Sequence, residues 1–371
     1  MEYTFADVLE IKNGKNQKGI ENPEGQYPIY GSGGVMGYAD DYICEADTVI
    51  IGRKGSINNP IYVPEPFWNV DTAFGLSAKR EKLLPRYLFY FCKKYDFEKL
   101  NKAVTIPSLT KTDLLKIRIK LPDITAQQEI VDKLTIIEVI IGWRKRELSL
   151  LDNLIKARFV EMFGHPLINS LGLETKPMTE VCEIIDGDRG KNYPTADEFT
   201  DEGYCLFLNA KNVTASGFNF DTCMFVSKEK DEVLRKGKLS RGDVVLTTRG
   251  TLGNLAFYTD DIPFEHVRIN SGMVILRMKQ ELVNEVYFIE QFKMQLADIK
   301  KKIASGSAQP QLPISTMNKI QILIPDIEIQ KQFAAFVTQV AKSKVTETMK
   351  LISILYLTLI HPKYNLREVT T

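Results

Sequence analysis

Two kinds of periodicity alternate along this chain, and the alternation occurs twice. Runs with apolar residues at every second position, Thr48 to Ile51, Ile61 to Val63, Val244 to Thr247 and Met273 to Leu276, are bounded by Gly, Pro and Asn and predict short strands joined by turns. Segments with apolar steps of three and four follow, Pro85 to Lys102 in the first half and Glu285 to Ile303 in the second, and predict helices. A last strand, Ile117 to Leu121 or Ile320 to Ile324, then runs into Pro-Asp.

After Pro-Asp the period becomes 3.5. Ile130, Leu134, Ile137, Ile141, Leu148, Leu151 and Ile155 form a seam that Arg144 alone interrupts. Thr125 with Gln128 is expected to form a capping box at its start, and Gly164 followed by His165-Pro166 to end it. The 38 residues from Ala126 to Phe163 would extend ~57 Å as a helix. Phe333, Val337, Val340, Leu351 and Leu355 mark a similar seam in the second half, ended by Pro362. So long a helix has too little flanking sequence to bury its stripe, so the two are expected to pair antiparallel as a shared stalk with pseudo-twofold symmetry.

The two halves also match residue by residue. Residues 107 to 124 and 310 to 327 align without a gap at an offset of 203, through Leu109/Leu312, Ile119/Ile322, Pro122/Pro325, Asp123/Asp326 and on to Gln127/Gln330. Asp47 to Ile57 aligns with Asp243 to Leu252 at an offset of 196 with a one-residue gap, which sets Arg53 against Arg249. Val8 to Gly14 aligns with Val181 to Gly187 at 173. Three matches in the same order imply an internal duplication, the second copy having gained loop residues mostly between Gly187 and Asp243.

Composition narrows the function. At 371 residues the chain has room for two or three domains of ~150 residues. Lys and Arg number 48 against 47 Asp and Glu, so no overall field attracts a polyanion and a nucleic-acid face must come from local segregation of charge. No basic leader or membrane-length apolar run is evident, and a cytoplasmic location is expected. Five scattered cysteines, Cys44, Cys92, Cys182, Cys205 and Cys223, contain no C-x-x-C and read as reduced thiols. His165, His266 and His361 stand about one hundred residues apart, which argues against a metal or triad site.

Most motifs that resemble chemistry fail on context. Asn59-Pro60-Ile61-Tyr62 is similar to the Asn-Pro-Pro-Tyr of amino methyltransferases, but lacks the second Pro and any Gly-rich cofactor loop between strand and helix. Tyr30 to Gly37 resembles a dinucleotide fingerprint whose last Gly comes one place late and whose helix is missing; it reads as a flexible loop. No phosphate-binding G-x-x-x-x-G-K-[ST] occurs. Pro122-Asp123 and Pro325-Asp326 lack the Asp/Glu-x-Lys partner of a nuclease and are explained by strand termination and an acidic residue at a positive helix end.

Polar and basic loops remain. Arg53, Lys54, Ser56, Asn58 and Asn59 occupy a turn matching that of Arg249, Thr251 and Asn254. Lys15, Asn16 and Lys18 follow a Gly, as do Arg189, Lys191 and Asn192, and Ser32 lies in the Gly-rich turn. Arg can bridge guanine O6 and N7, Asn can bridge adenine N6 and N7, and Ser, Thr and amides can hold phosphates. These residues are the candidate DNA contacts; each could instead be an ordinary solvated turn.

With these residues in hand, the chain resembles the specificity subunit of type I restriction-modification systems over essentially its whole length. The marks are Gly306-Ser-Ala-Gln-Pro-Gln-Leu312, Pro325-Asp-Ile-Glu-Ile-Gln330 echoed by Leu121-Pro-Asp-Ile-Thr-Ala-Gln-Gln-Glu129, Tyr27-Pro-Ile-Tyr-Gly-Ser-Gly-Gly34 and Ile50-Ile-Gly-Arg-Lys-Gly-Ser-Ile57. Pro-Asp stands where the family commonly has Pro-Pro, and Thr125-Ala126 replaces an acidic pair.

The resemblance implies an α+β fold: two similar strand-rich target-recognition domains, residues 1–123 and 165–325, joined by two long antiparallel α-helices within 124–164 and 326–371. It implies a non-catalytic chain in which each domain reads one half of a bipartite double-stranded DNA target. Two modification (methyltransferase) subunits would carry S-adenosylmethionine, a restriction (motor-nuclease) subunit would join them, and this chain would hold no cofactor or metal. The alternatives are a self-sufficient DNA adenine methyltransferase using Asn59 to Tyr62 and a pure assembly scaffold without DNA readout.

Overall fold

The computed structural model describes residues 1–101, 106–304 and 311–360, with side chains except at 303–304 and 345–360. The chain divides into two compact units: Met1–Lys145 with the end of the chain from Lys350, and Arg146–Met349.

In the first unit an antiparallel four-stranded sheet orders Leu9–Asn13, Ala73–Ala78, Thr48–Gly52 and Ile61–Val63. Thr48–Gly52 is buried along its whole length because both faces of the sheet are covered. Val49 and Ile51 face Leu88 and Phe91 of the helix Pro85–Lys94, while Ile50 faces a smaller cluster with Cys44 and Phe67. A three-stranded sheet orders Gly34–Ala39, Tyr27–Gly31 and Trp68–Asn69, the last pair parallel. The Gly-rich stretch expected to be a flexible loop is thus a hairpin turning at Ser32 and Gly33, with Gly34 at φ 124°.

The helix expected to reach Lys102 stops at Lys94. Asp96 instead accepts from the Glu98 amide at 3.1 Å and caps a separate 3₁₀ turn, Phe97–Leu100; a short acidic side chain that bonds nearby backbone competes with helix continuation. In the second unit the corresponding helix, Glu285–Ala304, runs on.

The second unit repeats the first. Its four-stranded sheet orders Cys182–Asp186, Met273–Met278, Val244–Thr247 and Leu255–Phe257, and its three-stranded sheet orders Phe225–Val226, Cys205–Leu208 and Val267–Ile269, again with one parallel pair. Cross-strand partners define the equivalences. Leu9 pairs with Ala78 as Cys182 pairs with Met278, which gives offsets of 173 and 200. Val49 pairs with Leu76 as Val244 pairs with Leu276, which makes the middle offset 195.

That value corrects the expected 196. The Lys54 and Arg249 turns then correspond without a gap: Lys54 bridges Ser108 as Arg249 bridges Gln311, and Gly55 (φ 78°) corresponds to Gly250 (φ 70°). Arg53 stands opposite Thr248, not opposite Arg249.

The long helices are Ile124–Phe163 and Ile327–Ile360. Asp123, not Thr125, caps the first, its carboxylate accepting from the Ala126 amide at 2.8 Å; Thr125 already lies inside the helix, so the expected capping box does not form. Gly164, at φ 72°, ends the helix and donates its amide to Val160 O at 2.9 Å. Within the second unit the two helices run antiparallel. Phe333 meets Phe159 and Phe163 edge-on at 5.4 and 5.6 Å, and Lys344 pairs with Asp152 further along. The side chains of Leu351 and Leu355, Pro362, and most of Gly306 to Leu312 lie outside the described residues.

One amide roots each long helix. Gln127 Oε1 accepts from the Leu84 amide at 2.9 Å, and its Nε2 donates to Lys82 O at 2.8 Å and Pro122 O at 3.0 Å. Gln330 does the same with the Asn284 amide at 2.9 Å, Leu282 O at 3.1 Å and Pro325 O at 2.8 Å. Both glutamines are fully buried.

Candidate nucleic-acid interface

In each unit the turn that follows the central strand, Thr48–Gly52 or Val244–Thr247, is pinned by backbone hydrogen bonds, joined in the second unit by the buried Thr248, whose Oγ1 donates to Gly272 O at 3.0 Å. Arg53 N donates to Thr72 O at 2.7 Å and Arg53 O accepts from the Leu109 amide at 2.9 Å; Thr248 N donates to Gly272 O at 2.8 Å and Thr248 O accepts from the Leu312 amide at 3.1 Å. Both turns are therefore pinned between the loop before the neighbouring strand and the chain segment leading to the last strand.

Around this turn in the first unit, four predicted residues converge. The exposed Arg53 reaches Asp71 O at 3.5 Å and lies 5.8 Å from the Phe74 ring. Lys54 is exposed beside it. The Lys15 amide donates to Asn69 O at 3.0 Å, in the same 69–73 turn, and Lys15 O accepts from Trp68 Nε1 at 3.1 Å. Ser32 presses on Gly52, where a β-carbon would come within 3.0 Å of the serine Cβ.

In the second unit Arg189 donates to Ser271 O at 3.3 Å and pairs with Asp186 at 3.1 Å. Arg189 and Arg249 line one cleft of about 240 Å³ with Asp186, Thr248 and Gln311. Positions 71 and 271 are equivalent, so an arginine occupies the same carbonyl in both units, supplied by the turn after the central strand in one and by the loop after Gly187 in the other. The paired cations are Arg53 with Arg189, and Lys54 with Arg249. Asp188 holds the Arg189 loop: burial would raise its carboxyl, but the Arg235 and Arg189 amides and the Arg235 charge more than offset this and keep it below the usual range.

Other candidates are placed elsewhere. Asn58 Oδ1 accepts from the Phe97 amide at 2.7 Å and its Nδ2 donates to Asp96 at 3.2 Å. Asn254 Nδ2 donates to Val213 O at 3.0 Å, and Asn192 Nδ2 to Val233 O at 3.2 Å. These three asparagines brace loops, and Asn58 has both its Oδ1 and its Nδ2 engaged. Asn16 closes an Asx turn on the Lys18 amide at 2.8 Å. Lys18, Ser56, Asn59, Lys191 and Thr251 are exposed, and Thr251 O accepts from Thr247 Oγ1 at 2.5 Å.

Lys300 escaped the sequence reading. A β-carbon on Gly253 would fall 3.1 Å from its Nζ, so the helix Glu285–Ala304 brings an ammonium against the 250–254 turn. The Lys300-Lys301-Lys302 run was the available signal, but only the tertiary packing shows which lysine meets the turn.

Tyr62 of the methyltransferase-like tetrapeptide donates to Asp47 and lies under Arg86, 4.2 Å from ring centroid to guanidinium carbon. Burial, with the Asp47 carboxylate, pushes its phenol up to about 12. Arg86 thus covers one face of the ring and Asp47 holds its hydroxyl, so the tyrosine already serves a structural contact. Among the described residues no group of His, Cys, Asp and Glu could hold a metal ion, and no helix is long and apolar enough to cross a membrane.

Comparison with known proteins identifies the family and the fold. Residues 1–150 and 171–355 match the family described as Type I restriction modification DNA specificity domain. A putative type I restriction enzyme specificity subunit of Haemophilus influenzae is 24% identical over 369 residues, covering 93% of this chain and 89% of that protein. A type I restriction enzyme specificity subunit of Methanocaldococcus jannaschii is 23% identical, covering 78% and 68%. Among solved structures, the S subunit of the type I system of M. genitalium superposes with a TM-score of 0.58 at 17% identity, over 96% of this chain and 93% of that one. A chain from a structural study of type I complex assembly gives 0.51 at 16%, over 96% and 95%.

Proposed function

Since the chain belongs to the type I restriction-modification DNA specificity family, we propose that it is the DNA-recognition subunit of such a system and that each unit reads one half of a bipartite target through its Arg53/Lys54 or Arg189/Arg249 turn. The observation that carries this is the repeated placement of two cations at equivalent points of a duplicated scaffold, although the turns differ in sequence. A near-neutral chain with two local cationic points suits a reader that orients DNA while partners supply much of the phosphate contact.

Those partners are two modification subunits holding S-adenosylmethionine, with a restriction subunit added for cleavage. Ile136 and Trp143, 58% and 70% exposed on the first unit's part of the central helix, are suited to such docking, since large apolar side chains left in water favour protein contact.

The test is charge reversal in the assembled complex. Lys54→Glu and Arg249→Glu are each expected to weaken binding to target DNA by at least about tenfold at physiological salt, a loss of roughly 1.4 kcal/mol. Unchanged affinity in both would favour the scaffold without readout; DNA methylation by the purified chain alone would favour the self-sufficient methyltransferase.

A further inference from the structure

We propose that Gln127 and Gln330 are positioning residues that lock each long helix to the recognition unit from which it springs, and thereby set the length of DNA tolerated between the two half-sites. The proposal rests on the bipartite reading above.

Each glutamine uses its acceptor and both donors on backbone groups of three separate elements: the end of the last strand, the turn after the 73–78 or 273–278 strand, and the residue preceding the domain helix. The bracket survives an insertion between its parts. The glutamines are 203 positions apart, whereas their partners Lys82/Leu282 and Leu84/Asn284 are 200 apart. It is also indifferent to the partners' side chains, Lys against Leu and Leu against Asn, because only main-chain atoms are engaged. A fully buried amide without a hydrogen bond is costly, so the three elements cannot separate or rotate without breaking the bracket.

The helix acts as a lever. Forty residues extend ~60 Å, so a tilt of ~5° at the root moves the far end by ~5 Å, more than the ~3.4 Å of one base-pair step. A small loosening at Gln127 is therefore amplified into a full base pair of play.

The experiment assembles the full chain with its modification subunits and maps adenine methylation on DNA whose two half-sites are separated by the native spacing or by one or two base pairs more or less. Gln127→Met and Gln330→Met keep the side-chain length and remove all three bonds. Each is expected to raise methylation at off-length targets relative to the native length by roughly tenfold, the effect of one net hydrogen bond, with the half-site bases unchanged. Gln127→Glu keeps the acceptor for the Leu84 amide but, when ionised, sets a carboxylate oxygen against Lys82 O and Pro122 O, so its broadening is expected to shrink as the assay pH is lowered; it carries the test if the Met variants do not fold. A lower total activity with an unaltered length ratio in Q127E and the Met variants would overturn the proposal and leave the bracket as ordinary stabilisation. Wild-type methylation at no bipartite site would instead bring down the underlying reading and the proposal with it, an outcome visible before any variant is made.

Discussion

Asp231 is a buried carboxylate held by two cations. Its side chain is 2% exposed and pairs with Lys238 and Arg268, while Arg268 also donates to Lys236 O at 2.8 Å, Asp231 O at 2.7 Å and Leu234 O at 2.9 Å. Burial would raise the carboxyl, but the hydrogen bonds and charges of Lys238 and Arg268 more than offset it and hold it below its usual value. The folded value then lies under the unfolded ~3.9, so the stabilisation is complete above that value and is lost as pH falls through the folded one. Urea unfolding followed from pH 7 to pH 3 is expected to show an acid limb that Asp231→Asn flattens. Arg268→Met leaves the buried carboxylate to Lys238 alone and three carbonyls without their donor, and is expected to cost ~3–5 kcal/mol at pH 7. The cysteines make a second residue-scale prediction. Burial pushes the Cys44, Cys182 and Cys205 thiols up to about 12 and raises Cys92 too, while Cys223 is half-buried and also raised. Alkylation of the native protein at pH 8 is expected to label Cys223 first and the other four only on unfolding, as peptide mass mapping would show.

At the scale of elements, the turns divide into side chains proposed to face DNA and side chains that hold the turn. Lys54→Ala and Arg249→Ala are each expected to reduce the salt dependence of DNA binding by the complex by about one counterion, with little change in melting temperature. Asn254→Ala is expected to do the reverse: it removes the donor to Val213 O and costs about 1–3 kcal/mol in chemical denaturation, while the salt slope stays the same. Residue type alone could not separate these roles, since a turn Asn serves equally as a base-edge partner and as a loop brace. The strands and helices themselves were legible, because an apolar period of two or of three to four is written along the chain. Where they missed, at Lys94 and Thr125, a single aspartate redirected the backbone: Asp96 began a new turn and Asp123 took the cap.

For the whole molecule, the duplication makes exchange of parts the natural test. Replacing residues 1 to about 120 with those of a relative of different specificity is expected to change one half of the methylated target and leave the other unaltered, as methylation mapping of cellular DNA would reveal; a change in both halves would show the units to be interdependent. Two copies, their order, the long helices and the equivalence of Gln127 with Gln330 were all determined by the sequence, because periodicity and ungapped similarity are properties of the chain taken in order. The partner of each turn residue in the other copy was decided only in three dimensions. Strand register comes from hydrogen bonds between distant segments, and a one-residue slip exchanges which side chains face out. The alignment set Arg53 against Arg249; the ladders set Lys54 there, and brought Arg189 from another loop to the place Arg53 holds.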